Sequence, residues 1–310
     1  MIATVPTDSL AAEGDAYERL VLRLRTLLPP AYQDTYERIQ PKSMGSAGLK
    51  YAADGSVAWD EIWGSFCDLA MAGGPPHKGL LLEPGRQDDI DAQFGRYDEV
   101  VEEICRGIKM VTGLRPYASP TPGWVSVTCH SDTMAEWLLR AIVMENVAAR
   151  RAGGVVELPA APHFRLEKEI KNVITVIAKT THYWLGHMPP SQQREIGDLF
   201  MRMGAESPLL EPETADPTDP RRAKLRDVIA ERIDRDTGLR PAARIYSEWV
   251  GVECSDVASA VWMMRALVAS NVLARREERA LFVPINPSLD PHGARVAAAV
   301  ATVHRFGVRS

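Results

Sequence analysis

One stretch of this chain occurs twice. Residues 124–159 read WVSVTCHSDTMAEWLLRAIVMENVAARRAGGVVELP, and residues 249–284 return as WVGVECSDVASAVWMMRALVASNVLARREERALFVP. The offset is constant at 125 and extends upstream, where the TGLRP of Thr112 to Pro116 recurs from Thr237 to Pro241. Of the 48 positions from Thr112 to Pro159, 21 are identical to their partners with no gap, which is the signature of an internal duplication. Whatever one copy folds into, the other is constrained to follow.

Inside the unit the pattern is legible. Val125, Val127 and Cys129 alternate with Trp124, Ser126, Thr128 and His130, the period of a strand. Ser131 or Asp132 is placed to cap the helix that follows, whose apolar residues Met134, Trp137, Leu138, Ala141, Ile142, Met144 and Val147 cover most of its circumference. The helix is expected to run to about Arg151, so that Arg150-Arg151 and Arg275-Arg276 complement the dipole in its last turn. Val155 to Leu158 returns as a strand, and a helix from Leu166 to Leu185 follows, with Lys168, Lys171 and Lys179 outside its apolar stripe.

Each unit thus reads helix, strand, helix, strand, helix. Strand–helix–strand crossovers join parallel strands with right-handed connections, so the expected fold class is α/β or α+β with pseudo-symmetric units. The first segment resembles a decayed third copy. Trp63 aligns with Trp137 and Trp262 on a helix spanning Val57 to Ala72, followed by a strand at Leu80 to Glu83 and a proline, Pro84. The expected organisation is an N-terminal segment with a divergent first repeat over 1–97 and a second unit over 98–190. A short helix with an acidic, Pro-rich linker fills 191–222, and a third unit fills 223–310.

Composition narrows the function classes. A net charge of −5 without a long Lys/Arg run lacks the electrostatic footprint of a nucleic-acid binder. No apolar run reaches the length of a membrane span, and the first residues have neither the basic nor the apolar part of a secretory signal. Four scattered cysteines, Cys67, Cys105, Cys129 and Cys254, read as reduced thiols. Together with abundant Ala and Arg, these features lead us to expect a bacterial cytoplasmic protein.

Candidate chemistry falls into two sets. The duplicated residues Cys129 and Cys254, Arg140 and Arg265, and Asn146 and Asn271 are expected to serve the fold first. The cysteines read as small core residues, and the buried polar groups must find partners, with Arg140 and Arg265 as candidate ligand-anion contacts. The second set lies where the copies differ, because function needs to survive in only one of them.

In the first segment Gly73-Gly74-Pro-Pro-His77-Lys78-Gly79 replaces the arginine-rich connection. Its glycines allow close backbone approach, its N–H groups can cup an anion, and His77 and Lys78 supply a proton and a charge, though Gly followed by Pro is also an ordinary helix stop. After the second unit comes Thr181-His182-Tyr-Trp-Leu-Gly186-His187. On a continuous helix His182 and His187 lie about 140° apart, so a metal is not expected there unless Gly186 breaks the helix. His130, whose partner in the other copy is Ser255, sits at the end of its strand, where open sheets place ligands.

These residues suggest an enzyme acting on a small polar, anionic metabolite by acid–base or oxyanion-stabilising chemistry. His77, Lys78, His130, His182 and His187 would carry the chemistry, with Gly73, Gly74, Gly79, Arg140 and Arg265 on the ligand. The alternative is a non-catalytic ligand-binding or assembly module. The expected partners are a small molecule and a second copy of the chain, with neither nucleic acid nor membrane, and no cofactor can be named.

Overall fold

The computed structural model describes residues 7–33, 48–62, 69–74, 76, 79–213 and 220–307. In chain order its helices are α1 (Thr7–Leu27), α2 (Pro30–Gln33), α3 (Gln87–Ala92), α4 (Phe94–Thr112), α5 (Asp132–Met144), α6 (Lys171–His182), α7 (Pro190–Glu206), α8 (Pro220–Thr237), α9 (Val257–Ala269) and α10 (Ala294–Gly307). The strands are β1 (Arg115–Ala118), β2 (Trp124–Thr128), β3 (Arg150–Ala152), β4 (Val155–Pro159), β5 (Trp249–Glu253), β6 (Arg275–Glu277) and β7 (Ala280–Pro284). Helix outweighs strand, 55% to 14%, and β1–β2, β2–β4, β3–β4 and β5–β7 all pair antiparallel, which makes the class α+β.

The chain divides into two compact bodies. A central body holds Arg38–Arg194 with Arg275–Glu277, and a terminal body holds Met1–Glu37, Glu195–Ala274 and Glu278–Ser310. In the central body the strand order is β1-β2-β4-β3, with Val125 opposite Leu158 and Val127 opposite Val156. Helices α4 and α5 contact this sheet, and α6 packs on both of them. The close approach of α4 to α6 is set by Gly107, where a Cβ would come within 2.3 Å of the Ile174 Cδ1. In the terminal body β5 pairs with β7, α9 contacts β7, α10 packs against α8 and α9, and α1 packs against α9.

The expected parallel crossover is corrected. β2 and β4 run antiparallel because the arginines thought to finish the helix form strand β3, which turns through Gly153-Gly154 into β4 and reverses the chain. The helix ends earlier, at Met144, where Asn146 takes the left-handed conformation at φ 61°. Asn271 does the same at φ 63° after α9, and asparagine is among the few side chains that tolerate this region.

Local stops and starts match at the 125-residue offset. Ser131 caps α5 by accepting from the Met134 N–H, and Asp256 caps α9 by accepting from the Ser259 N–H. The TGLRP sequences are helix exits. Each threonine hydroxyl donates back into its helix, to the Ile108 or Ile233 carbonyl, and accepts from the leucine N–H two residues on. Gly113 and Gly238 supply the positive φ that ends α4 and α8.

The first segment is built differently from the other two. Where a long helix was expected over Val57 to Ala72, the described residues hold two short 3₁₀ turns, Trp59–Glu61 and Ala70–Ala72; Trp63 and Cys67 lie outside the described residues. Leu82 forms no ladder of the expected kind. It makes a single parallel bridge to Val147, donating to the Asn146 carbonyl and accepting from the Ala148 N–H. Leu210 makes the matching bridge to Val272, donating to the Asn271 carbonyl and accepting from the Leu273 N–H. Both leucines sit in the same four-residue sequence, Leu-Leu-Glu-Pro, at 81–84 and 209–212. That short motif clamps the exit of α5 in one body and of α9 in the other.

Candidate functional site

Of the loop singled out in the first segment, His77 and Lys78 lie outside the described residues. Its glycines are accounted for. The N–H groups of Gly73 and Gly74 close the 3₁₀ turn on the Ala70 and Leu69 carbonyls, so they are engaged within the chain instead of facing an anion. Gly73 at φ 96° and Gly79 at φ 75° provide the turns that glycine alone adopts easily.

The loop's flanks rest on a buried polar network that the sequence did not reveal. Glu145 and Lys179, both essentially inaccessible, form an ion pair at 2.6 Å, and the same Glu145 oxygen accepts from the Ala70 N–H at 2.8 Å. Arg276 donates to the Gly74 carbonyl and lies near Glu145, while burial pulls its guanidinium below the usual range. Asn146 donates to the Arg276 carbonyl at 2.7 Å and accepts from Arg275, which also pairs with Glu277 at 2.8 Å. Lys179 was expected outside the apolar stripe; it is buried because Glu145 neutralises it. One signal pointed to Glu145: its partner at the 125 offset is Ser270, so the copies differ there.

Beside this network the central body opens a cavity of about 410 Å³. Its polar walls are Glu83 of the Leu-Leu-Glu-Pro clamp, Arg86 and Asp89 after it, Asn146 at the helix exit, and His163, Lys168, Glu169 and Asn172 around the start of α6. Lys168 and Glu169 are presented by a π-turn, Leu166–Ile170, that leads into α6, and Asn172 lies in the first turn of that helix. Glu169 is held as an anion. Burial alone would raise it, but the Arg165 N–H and guanidinium, its own N–H and Lys168 outweigh that and take it down to about 2. Glu83 goes the other way: although open to solvent on one side, it is raised by the desolvation of the surrounding wall, against the pull of Arg275.

The other candidates lie apart from this cavity. His130 is exposed just beyond β2. Arg140 is fully buried on α5 and bonds Glu136 one turn back, at 2.8 Å. Arg265 is buried on α9, where the residue matching Glu136 is Val261. Cys129 and Cys254 are buried, and burial pushes both thiols up to about 12, so neither is a thiolate at neutral pH.

His182 and His187 come together. A second π-turn, Tyr183–His187, continues α6 and closes with the Met188 N–H on the Tyr183 carbonyl at 3.1 Å. Its wider winding brings residues five apart onto one side, and the two Nε2 atoms stand 3.0 Å from each other without Gly186 breaking the helix. Among the described residues no group of three or more His, Cys, Asp or Glu is placed to hold a metal, and no helix is long and apolar enough to cross a membrane. No protein-family model matches this chain, and none of the curated proteins matches it.

Proposed function

We propose that the chain is a ligand-binding protein whose central body takes a small polar molecule carrying both positive and negative or hydrogen-bonding groups. The observation that carries the reading is the cavity of about 410 Å³, within the size range of small-molecule sites, with groups of both signs converging on it. Lys168 and Arg86 offer cations, Glu169 a fixed anion and Asn172 a neutral donor and acceptor. The π-turn that presents Lys168 and Glu169 supports it, since such irregularities are frequent at functional sites.

An acid–base enzyme is the second reading, favoured by one observation: Glu83, whose carboxyl is raised above the usual range by desolvation, shares the cavity with His163. His130, His182 and His187 do not line that cavity, which weighs toward binding without catalysis. The matching caps, Asn turns and strands at the 125 offset support the reading that units 98–190 and 223–310 descend from one duplicated module, and the composition is the ground for placing it in a bacterial cytoplasm, with self-association a further part of the proposal.

Native mass spectrometry of the purified protein tests the binding reading. A co-purifying small molecule is expected, lost in Lys168→Glu. A clean apo mass, with no thermal shift from a panel of amino acids and dicarboxylic acids, would count against it.

A further inference from the structure

The surface histidine pair at the end of α6 is a different place from the cavity, and it has a geometry of its own. Tyr183 and Trp184 anchor the turn from inside: both are buried, and Trp184 packs on Trp137 with ring centroids 5.6 Å apart. His182 and His187 face outward, their ring centroids 4.8 Å apart and their planes at 70°, with the Tyr183 ring alongside His187 at 5.1 Å. The π-turn fixes the backbone that carries both rings, so the pair is preorganised by the core beneath it.

We propose that His182 and His187 chelate a divalent transition metal through their Nε2 atoms, with copper(II) the favoured ion. The spacing favours a cis pair of ligands. With metal–nitrogen bonds of about 2.05 Å, two nitrogens 3.0 Å apart subtend about 94° at the metal. That is the cis angle of square-planar or tetragonal coordination, which copper(II) and nickel(II) prefer, whereas a tetrahedral zinc site would hold its nitrogens about 3.3 Å apart. Binding requires that the ring donating across the gap give up its Nε2 proton, to solvent or by taking the Nδ1–H tautomer, and that both Nε2 lone pairs then turn onto a common point. The chain supplies two ligands, and water or an incoming donor fills the remaining positions.

The alternative occupant of the gap is a single proton shared between the two rings. Titration of copper(II) into the full-length protein, followed by calorimetry and by electron paramagnetic resonance, separates the two. One copper is expected, with the hyperfine signature of two equivalent imidazole nitrogens. His187→Ala and His182→Ala should each weaken binding at least tenfold, the double variant no further, and His292→Ala, at another exposed histidine, should leave it unchanged. Both substitutions are at exposed positions, and far-UV circular dichroism checks that the fold persists. Equal copper affinity in wild type and His187→Ala, or a one-nitrogen spectrum, would overturn the proposal. Zinc binding tighter than nickel would overturn the tetragonal assignment. Neither histidine lines the cavity, so this inference and the proposed ligand site stand or fall separately.

Discussion

Glu145 and Lys179 show what a buried charge demands of its surroundings. Neither is tolerable alone, and each makes the other so. Lys179→Met is expected to destabilise the protein by about 3–5 kcal/mol, because it strands the Glu145 carboxylate in the interior. Glu145→Gln with Lys179→Met should recover most of that loss, since the glutamine oxygen still accepts from the Ala70 N–H; chemical denaturation of the three proteins checks it. Glu169 makes a prediction about pH. Its carboxyl falls from the ordinary 4.5 to about 2 on folding, so its contribution is complete above about pH 4.5 and is lost as pH falls toward 2. After solvent screening that contribution is about 1 kcal/mol. Glu169→Gln should therefore melt below wild type at pH 7 and approach it at pH 2.5, and a gap that widened in acid would contradict the assignment.

At the scale of single residues, the retained asparagines were visible in sequence as a shared structural task, and Asn146 and Asn271 perform the same one, turning the chain at positive φ. The paired arginines were equally visible, yet their fates differ. Arg150 and Arg151 are half-exposed, whereas Arg275 and Arg276 are buried. Identical residues in identical local sequence acquire different environments because burial is set by what packs against them.

Among the elements, helix starts were legible where period and cap agreed, as in α5 and α9, whereas the ends of both helices were placed several residues too late. The short strands β3 and β6 were not legible, since Arg-Arg is as compatible with a last helical turn as with an edge strand. The two π-turns also escaped, because a helical wheel drawn at 3.6 residues per turn assigns His182 and His187 to different faces. The first helix carries a prediction of its own. Leu20, Leu24 and Leu27 of α1 stand at helical spacing and all three are buried, with Tyr17 set edge-on to Phe306. Leu24→Ala should cost about 2–5 kcal/mol by urea denaturation. A value near zero would mean that α1 does not belong to the core it completes.

For the whole molecule, sequence order and spatial order part company. The terminal body is assembled from three separated stretches, Met1–Glu37, Glu195–Ala274 and Glu278–Ser310, and the central body reclaims Arg275–Glu277 from the far end of the chain. A linear reading at one repeat per segment could not anticipate this, nor that Leu-Leu-Glu-Pro, too short to register as a repeat, would clamp each helix exit. What the sequence by itself determined lies within about five residues of its cause: alternating strands, capped helix starts, Thr-Gly stops and the Asn turns, all written twice at a spacing of 125. The tertiary structure alone decided the antiparallel pairing, the burial of Glu145, Lys179, Arg275 and Arg276, the walls of the cavity and the meeting of two histidines. Those depend on partners brought together by the fold or on the winding of a turn, and no local preference encodes them.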